Sequence, residues 1–435
     1  MAQDTIFAPS TAPGRAGIAV IRVSGPDAKN AVENLCGAPP PSPKRAILKA
    51  FRDSDGGLID RGLLLWFAAP HSFSGEDIAE FQVHGGRAIV DAMLAALSKI
   101  PGLSPAEPGE FTRRAVENGK LDLTQAEALA DLIDAQTDAQ RKQALRQSDG
   151  ALSELYEGWT ARLIRAVALS EAVLDFRDEE IPDGTMNTVR DISSTLIAEI
   201  RAHLDDHRRG EILRDGIYLT VFGLPNSGKS SLLNALARRD VAIVSEIAGT
   251  TRDVIEVRMD LGGYPVIIAD TAGIRQSADA IETEGVRRAL ARANSADIAL
   301  LLVDASAERP LEGLPNDIRP DIVVWNKIDI GQPRIGGIPI SAKTGEGIPA
   351  LLSTISKLCA KLLESKSNDA PLTRARHRAH LEEALASLER SQNVPDRELS
   401  GEDLRLALRS LGRITGRVDI EDVLDVVFRE FCIGK

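Results

Sequence analysis

The segment Gly223-Leu-Pro-Asn-Ser-Gly-Lys-Ser230 has the residue types and the spacing of a phosphate-binding loop. An apolar run, Ile217 to Phe222, comes before it and predicts a buried strand, and the residues from Ser231 onward predict a helix. Glycines let backbone N–H groups approach phosphates, and a helix N-terminus favours their negative charge. We therefore predict that Lys229 reaches the β- and γ-phosphates of a nucleotide and that the Ser230 hydroxyl binds Mg²⁺.

Two later segments indicate that the nucleotide carries guanine. Asn326-Lys-Ile-Asp329 ends an apolar run, and the Asp329 carboxylate would accept hydrogen bonds from N1–H and the 2-amino group of guanine. Adenine lacks both donors, so an unpaired carboxylate would disfavour ATP. Ser341-Ala-Lys343 would close the base pocket with a backbone amide directed at guanine O6.

Two further segments fit the phosphate end of a GTP site. Asp270-Thr-Ala-Gly273 follows another apolar run, so its carboxylate would reach the Mg²⁺ shell and the Gly273 amide would face the γ-phosphate. Gly249-Thr-Thr-Arg-Asp253 supplies Thr251 as the second hydroxyl ligand of Mg²⁺. Each of these short motifs is weak by itself, but their order along the chain predicts a GTPase.

The motifs do not identify the side chain that would orient the attacking water for GTP hydrolysis. Ile274 stands where small Ras-like GTPases carry a glutamine that orients the attacking water, so another side chain must do this. Glu282 and Glu284 are candidates, although their polar segment is also typical of a solvated loop. Asn226, inside the phosphate loop, has a side-chain oxygen suited to a monovalent cation that would replace an arginine finger.

The composition limits the partners and the compartment. The chain has 435 residues and a net charge of −12, so any nucleic acid contact must use local patches or be shared with a partner. Its three cysteines lie far apart and suit neither a disulfide framework nor a zinc site, which favours a reducing, cytoplasmic location. We expect no secretory signal and no membrane span, since no apolar run approaches the ~20 residues that a membrane helix needs.

The elements that position these residues fall into three domains. Residues 1–118 mix short β-like runs with Gly and Pro turns and predict an α+β domain. From Leu121 the pattern is helical, with a capping box at Thr124-Gln-Ala-Glu127 and a break at Gly150. It continues to about Gly210 and resumes after Pro371. We predict one discontinuous helical domain, formed by 119–210 and 371–435.

Between the helical halves, residues 216–365 alternate strands and helices, which predicts an α/β domain with a parallel-rich sheet covered by helices on both faces. Its later strands are predicted at Val254–Met259, Val266–Asp270, Ile298–Asp304 and Asp321–Asn326. The residues predicted to contact GTP are Asn226, Ser227, Gly228, Lys229, Ser230, Ser231, Ser245, Glu246, Ile247, Ala248, Gly249, Thr250, Thr251, Asp270, Thr271, Ala272, Gly273, Asn326, Lys327, Asp329, Ser341 and Ala342.

Nearly the whole chain resembles the MnmE (TrmE) family of tRNA-modification GTPases. The specific matches lie outside the nucleotide motifs, at Pro13-Gly-Arg-Ala-Gly-Ile-Ala-Val-Ile-Arg22, Pro70-His-Ser-Phe-Ser-Gly-Glu-Asp77, His84-Gly-Gly86, Pro108-Gly-Glu-Phe-Thr-Arg-Arg-Ala115, Lys120-Leu-Asp-Leu-Thr-Gln-Ala-Glu-Ala128 and Cys432-Ile-Gly-Lys435. The resemblance implies an aminomethyltransferase-like N-terminal domain that mediates homodimerisation, and a Ras-like GTPase domain inserted between helical halves.

The resemblance also implies a reaction. Such proteins act with a flavin- and NADH-dependent partner, MnmG (GidA), to install aminomethyl or carboxymethylaminomethyl groups at C5 of the wobble uridine, position 34, of certain tRNAs. The one-carbon unit comes from 5-formyl- or methylene-tetrahydrofolate. By match, Arg22, Glu80, Lys120 and Lys435 would contact this folate. Cys432 is a conspicuous thiol for which a nucleophilic role is only a hypothesis beside an inert one.

For the GTPase domain, the resemblance assigns the general base to Glu282, acting through a water, and not to Glu284. It assigns a potassium site to Asn226, Ser245, Ile247 and Thr250, with two such domains meeting face to face across the dimer.

Two other functions remain open at this stage. One is an RNA-binding GTPase that assists ribosome assembly, and the other is a nucleotide-gated dimer that binds no folate. The run Arg374-Ala-Arg-His-Arg378 is the best local candidate for RNA contact, although such a run is more often a solvated helix start.

Overall fold

The structure is a computed structural model, and it divides into two compact units. The first unit comprises Met1–Ala130, Gln147–Ser194 and Glu383–Lys435, and the second comprises Asp131–Arg146 and Thr195–Glu382. The residues described are 4–175, 184–239, 242–243, 256–270, 296–312, 319–334, 336–363, 370–417 and 434.

The N-terminal part of the first unit is a six-stranded sheet with the order β3-β4-β5-β2-β1-β6. Alternating apolar residues on its strands form one buried face, on which helices α1 and α2 pack. The elements are β1 (Thr5–Pro9), β2 (Ala16–Ser24), α1 (Ala28–Cys36), β3 (Ile47–Arg52), β4 (Leu58–Phe67), β5 (Ile78–Gly85), α2 (Arg87–Ser98), β6 (Leu103–Pro105) and α3 (Glu110–Glu117).

The chain then becomes helical, as the sequence predicted. The helices are α4 (Leu123–Asp134), α5 (Asp138–Ser148), α6 (Ala151–Asp175), α7 (Thr185–Leu204) and α8 (Arg209–Asp215), followed near the other end of the chain by α11 (Ala375–Asn393) and α12 (Arg397–Thr415). Gly150 separates α5 from α6 with a φ of 96°, which only glycine adopts readily. In the first unit, α6 packs along α12.

The predicted capping box is wrong by two residues. Helix α4 begins at Leu123, so Thr124 already lies inside it. The box is formed by Asp122 and Gln125: the Gln125 amide donates to Asp122 Oδ1 at 3.0 Å, and the Asp122 amide donates to Gln125 Oε1 at 3.1 Å. The Thr124 hydroxyl instead bonds to Asp122 Oδ1 and Ser153 Oγ, which joins α4 to α6.

The second unit contains a seven-stranded sheet with the order β13-β12-β11-β7-β10-β9-β8. Strands β13 to β10 in this order run parallel, and β9 is antiparallel to both β10 and β8. The elements are β7 (Ile217–Phe222), α9 (Lys229–Ala237), β8 (Ala242–Ile243), β9 (Glu256–Leu261), β10 (Tyr264–Asp270), β11 (Ile298–Asp304), β12 (Ile322–Asn326), β13 (Ile338–Pro339) and α10 (Ile348–Leu363).

The central strands of this sheet are apolar along their length because both faces are covered, as in α/β proteins generally. The predicted combination of an N-terminal α+β region, a helical region and an inserted P-loop domain is confirmed. The predicted domain boundaries stay predictions. Among the described residues, no helix has the length and the apolar character required to cross a bilayer.

Candidate functional site

The phosphate loop lies at the carboxyl edge of the second unit's sheet, after the central strand β7 and before α9. Two of its glycines are required by close approaches. A Cβ on Gly223 would lie 2.2 Å from the Leu302 carbonyl oxygen of β11, and one on Gly228 would lie 2.3 Å from Asn326 Nδ2. Asn226 has a φ of 61°, a left-handed conformation that asparagine tolerates better than most residues. The backbone conformation of the loop is therefore determined by its glycines and by the close approach of Leu302 and Asn326.

The loop residues predicted to bind phosphate and Mg²⁺ lie at the junction of the loop and helix α9. Lys229 Nζ donates to the carbonyl oxygens of Gly223 at 2.9 Å and Leu224 at 3.1 Å, so its charge lies across the loop. Ser230 and Ser231 are exposed in the first turn of α9. Ser227 is buried, and within the described part of the chain its Oγ has no hydrogen-bond partner.

Asn326 joins the phosphate loop to the base loop. It ends β12 and is 2% exposed. Its Nδ2 donates to the Ser227 carbonyl oxygen at 2.8 Å, and its Oδ1 accepts from the Ala342 amide at 3.0 Å. One side chain therefore sets the spacing between the segment predicted to hold phosphate and the segment predicted to hold guanine.

The two sides of the predicted base pocket also contact each other directly. Ser341 Oγ donates to Asp329 Oδ1 at 2.8 Å and accepts from the Thr344 amide at 3.1 Å. Asp329 is otherwise exposed, whereas Ser341 is fully buried. The carboxylate is thus oriented before any base is bound, which lowers the entropic cost of binding.

Asp304 is a site residue to which the sequence analysis gave no role. Lys327 has a φ of 65°, and its Nζ contacts Asp304 Oδ2 at 2.5 Å. Burial alone would raise the pKa of the Asp304 carboxyl, but the hydrogen bonds from Lys327 and Ser306 outweigh it and lower that pKa. The sequence did contain a signal for Asp304. It is a charged residue at the end of a buried parallel strand, at the edge of the sheet where the nucleotide motifs lie.

The remaining predicted nucleotide residues are only partly covered by the structure. Asp270 ends β10 beside Val221 of β7, so the backbone at Asp270 lies next to the phosphate loop. The predicted site residues that lie outside the described ones are Ser245, Glu246, Ile247, Ala248, Gly249, Thr250, Thr251, Thr271, Ala272, Gly273, Glu282 and Lys435.

In the N-terminal sheet, Arg22 and Glu80 are paired across β2 and β5. Both the Nε and the Nη2 of Arg22 donate to Glu80 Oε1, at 3.1 and 2.9 Å. The rings of Phe73 and Phe111 lie beside the guanidinium, with their centroids 5.5 and 5.6 Å from Cζ. Arg22 and Glu80 were predicted as separate folate contacts, and their pairing with each other is a finding of the structure. The two phenylalanines had no predicted role; they come from a loop and from α3.

Two other parts of the chain lie near this pair in the first unit. Lys120 is exposed, and its side chain packs against Gly75 in the loop that carries Phe73. Gly434, the penultimate residue, is buried at the end of β1, where its carbonyl oxygen accepts from Ser10 Oγ at 2.9 Å. Pro9, which a Cβ on Gly434 would strike, pairs with Ile21, next to Arg22.

Two arginines of the basic run at Arg374 to Arg378 are largely buried and held in ion pairs. Arg374 Nη2 donates to Asp131 Oδ1 at 2.8 Å. Arg378 donates to Asp206 Oδ1 at 2.6 Å and to Glu211 Oε1 at 2.9 Å. These contacts, all inside the second unit, neutralise two positive charges of the run, and its contact with RNA stays a prediction.

The chain is similar to known proteins over nearly its whole length. A family model described as the MnmE helical domain matches residues 123–432, and one described as the GTP-binding protein TrmE N-terminus matches residues 5–120. A protein named tRNA modification GTPase MnmE from Parvibaculum lavamentivorans is 55% identical over 438 residues, covering 99% of this chain and 100% of that protein. Proteins of the same name are 54% identical in Paramagnetospirillum magneticum (99% and 100% covered) and 52% identical in Rhodospirillum rubrum (100% of both).

Proposed function

The chain belongs to the MnmE family of tRNA modification GTPases, and we propose that it hydrolyses GTP to drive the modification of a tRNA wobble uridine. The single observation that supports GTP hydrolysis is the pair of hydrogen bonds made by the Asn326 side chain. They link the phosphate loop to the loop at Ser341, which in turn holds the Asp329 carboxylate in a fixed orientation. The tRNA part rests on family membership.

In the GTP site, Lys229 moves from the loop carbonyls to the β- and γ-phosphates, and the loop amides and the N-terminus of α9 receive the remaining charge. Ser230 and Thr251 supply hydroxyl ligands to Mg²⁺, with Asp270 in its outer shell. The ion neutralises phosphate charge when it is bound. Asp329 accepts the guanine N1–H and amino donors, and Ser341 holds that carboxylate in place.

For hydrolysis, we propose Glu282 as the base that orients the attacking water, because Ile274 has no polar group to do so. Asn226, Ser245, Ile247 and Thr250 would hold K⁺, which would supply positive charge near the phosphates, and two such G domains would associate across a homodimer. The exposed, left-handed conformation of Asn226 supports its part in this assignment.

In the N-terminal domain, we propose that Arg22, Glu80, Lys120 and Lys435 bind 5-formyl- or methylene-tetrahydrofolate, which supplies a one-carbon unit when it is bound. Glu80 accepts hydrogen bonds from the amino and amide groups of the pterin, and the positively charged side chains pair with the carboxylates of the glutamate tail. The Arg22–Glu80 pair and the docking of Gly434 beside β1 support this grouping. Arg22 and Glu80, which are distant in the sequence, lie on the same face of this sheet.

The complete reaction requires a partner. We propose that a homodimer of this chain works with the flavoprotein MnmG to add an aminomethyl or carboxymethylaminomethyl group at C5 of uridine 34 in certain tRNAs. GTP hydrolysis drives cycles of association between the two G domains.

Nucleoside mass spectrometry of tRNA from cells that lack this protein tests the proposal. We expect C5-aminomethyl-type wobble uridines to disappear, and to return with the wild-type chain but not with Glu282→Ala. An unchanged wobble profile together with accumulated ribosome precursors would instead favour the ribosome-assembly function. Restoration by Glu282→Ala would separate modification from GTP hydrolysis and refute that part of the proposal.

A further inference from the structure

We propose that Phe73 and Phe111 are positioning residues for the N-terminal site. They fix the guanidinium of Arg22, and Arg22 in turn fixes Glu80 so that one carboxylate oxygen is left for the ligand. This inference rests on the proposed binding of a tetrahydrofolate, and it assigns to that site two residues that do not themselves need to touch the folate.

The strand register puts Arg22 and Glu80 on the face of the sheet opposite the main core. Ile21 and Val23, on either side of Arg22, are fully buried in that core, so Arg22 points the other way. Arg22 and Glu80 stand directly opposite each other in antiparallel strands, and their side chains are each about one-sixth exposed. A ligand on this face can therefore reach the pair.

The geometry of the pair is unusual. In the common arginine–carboxylate pair, two N–H donors meet two different oxygens. Here Nε and Nη2 of Arg22 both donate to Oε1 of Glu80. Among the described residues, no hydrogen bond to Glu80 Oε2 is recorded, so this oxygen can accept a ligand donor while Oε1 stays held.

The two phenylalanine rings explain why the guanidinium stays in this position. Phe111 is fully buried in α3, and Phe73 is half-buried in the loop between β4 and β5. Both rings lie within 5.6 Å of Arg22 Cζ, a distance at which a ring face attracts a cation. Rotating the guanidinium toward Oε2 would cost part of this attraction.

The loop that carries Phe73 is itself anchored. The carbonyl oxygen of Ser74 accepts from Asn118 Nδ2 at 2.8 Å. A Cβ on Gly75 would lie 3.2 Å from Lys120 Cε, so the loop and the Lys120 stem are in close contact. The loop therefore sets the position of the ring beside Arg22 and packs against another proposed folate residue.

A double-mutant cycle tests the inference, with 5-formyl-tetrahydrofolate as the probe and the dissociation constant measured by calorimetry on the full chain. Arg22→Lys keeps the positive charge but removes the planar pair of N–H donors of the guanidinium, so we expect about tenfold weaker folate binding. Phe73→Leu should weaken binding about fivefold. If Phe73 acts through the guanidinium, the double variant should bind about as weakly as Arg22→Lys alone. Leu48→Ala, a truncation at an exposed apolar residue of the edge strand β3, should bind like the wild type.

The outcomes are distinct. Penalties that multiply in the double variant would indicate that Phe73 merely supports the fold, and would overturn the inference, as would normal binding by Phe73→Leu. Thermal unfolding and GTP affinity should not change in Phe73→Leu, which separates positioning from misfolding. If the wild-type chain itself binds no 5-formyl-tetrahydrofolate, the proposed folate function fails, and this inference fails with it.

Discussion

Replacing Asn326 by alanine should weaken the binding of GDP and GTP by the same factor. The side chain is 2% exposed and makes two hydrogen bonds, to the Ser227 carbonyl at 2.8 Å and from the Ala342 amide at 3.0 Å. The substitution leaves both backbone groups without these partners at the junction of the two loops. Each buried group left unpaired costs about 1–3 kcal/mol. Two unpaired groups together cost about 2–6 kcal/mol. Part of this lowers the stability of the free protein, and a net loss of about 2–4 kcal/mol in binding would correspond to roughly 30- to 700-fold in affinity.

Equilibrium titration and stopped-flow dissociation of fluorescent GDP and GTP analogues would measure this loss. Both nucleotides should lose affinity by the same factor, because GDP and GTP share the base and the α- and β-phosphates that the two loops are predicted to hold. Asn234→Ala, an exposed asparagine on α9, is the matched control and should bind normally. A loss of less than about threefold for Asn326→Ala would contradict the reasoning, since even one unpaired buried group should cost more than that.

Three other perturbations have expected outcomes. Asp329→Asn should lower GTP affinity on the order of 100-fold and favour xanthosine triphosphate, and an unchanged base preference in competition binding would refute its contact with guanine. Replacing K⁺ by Na⁺ should slow GTP hydrolysis at least about tenfold, whereas equal rates would remove the potassium assignment at Asn226. Arg378→Met should lower the free energy of unfolding by about 2–3 kcal/mol, because Asp206 and Glu211 lose a half-buried partner. Calorimetric melting that matches the wild type would show that these ion pairs contribute little.

The nucleotide motifs were readable from the sequence because their chemistry is local. Gly223 and Gly228 are needed where the backbone turns and nearly touches its neighbours, and buried strands such as Ile298–Asp304 have an apolar pattern that does not depend on distant partners. The α4 cap was misplaced because Asp122 and Thr124 are both capping residue types. The choice between them is made by Thr124 bonding to Ser153 of α6, a contact that local pattern does not encode.

By itself, the sequence determined the order of the elements, the phosphate loop and the guanine motif, since these depend on periodicity and on residues adjacent along the chain. Only the tertiary structure decided which residues the charged side chains pair with. Arg378 pairs with Glu211, 167 residues away, so part of a run that suggested RNA binding is held in internal ion pairs. Arg22 has a defined orientation only because Glu80, Phe73 and Phe111 come from three separate elements to surround it. Partner choice for a charged side chain depends on packing and strand register, which are set once the whole sheet has formed.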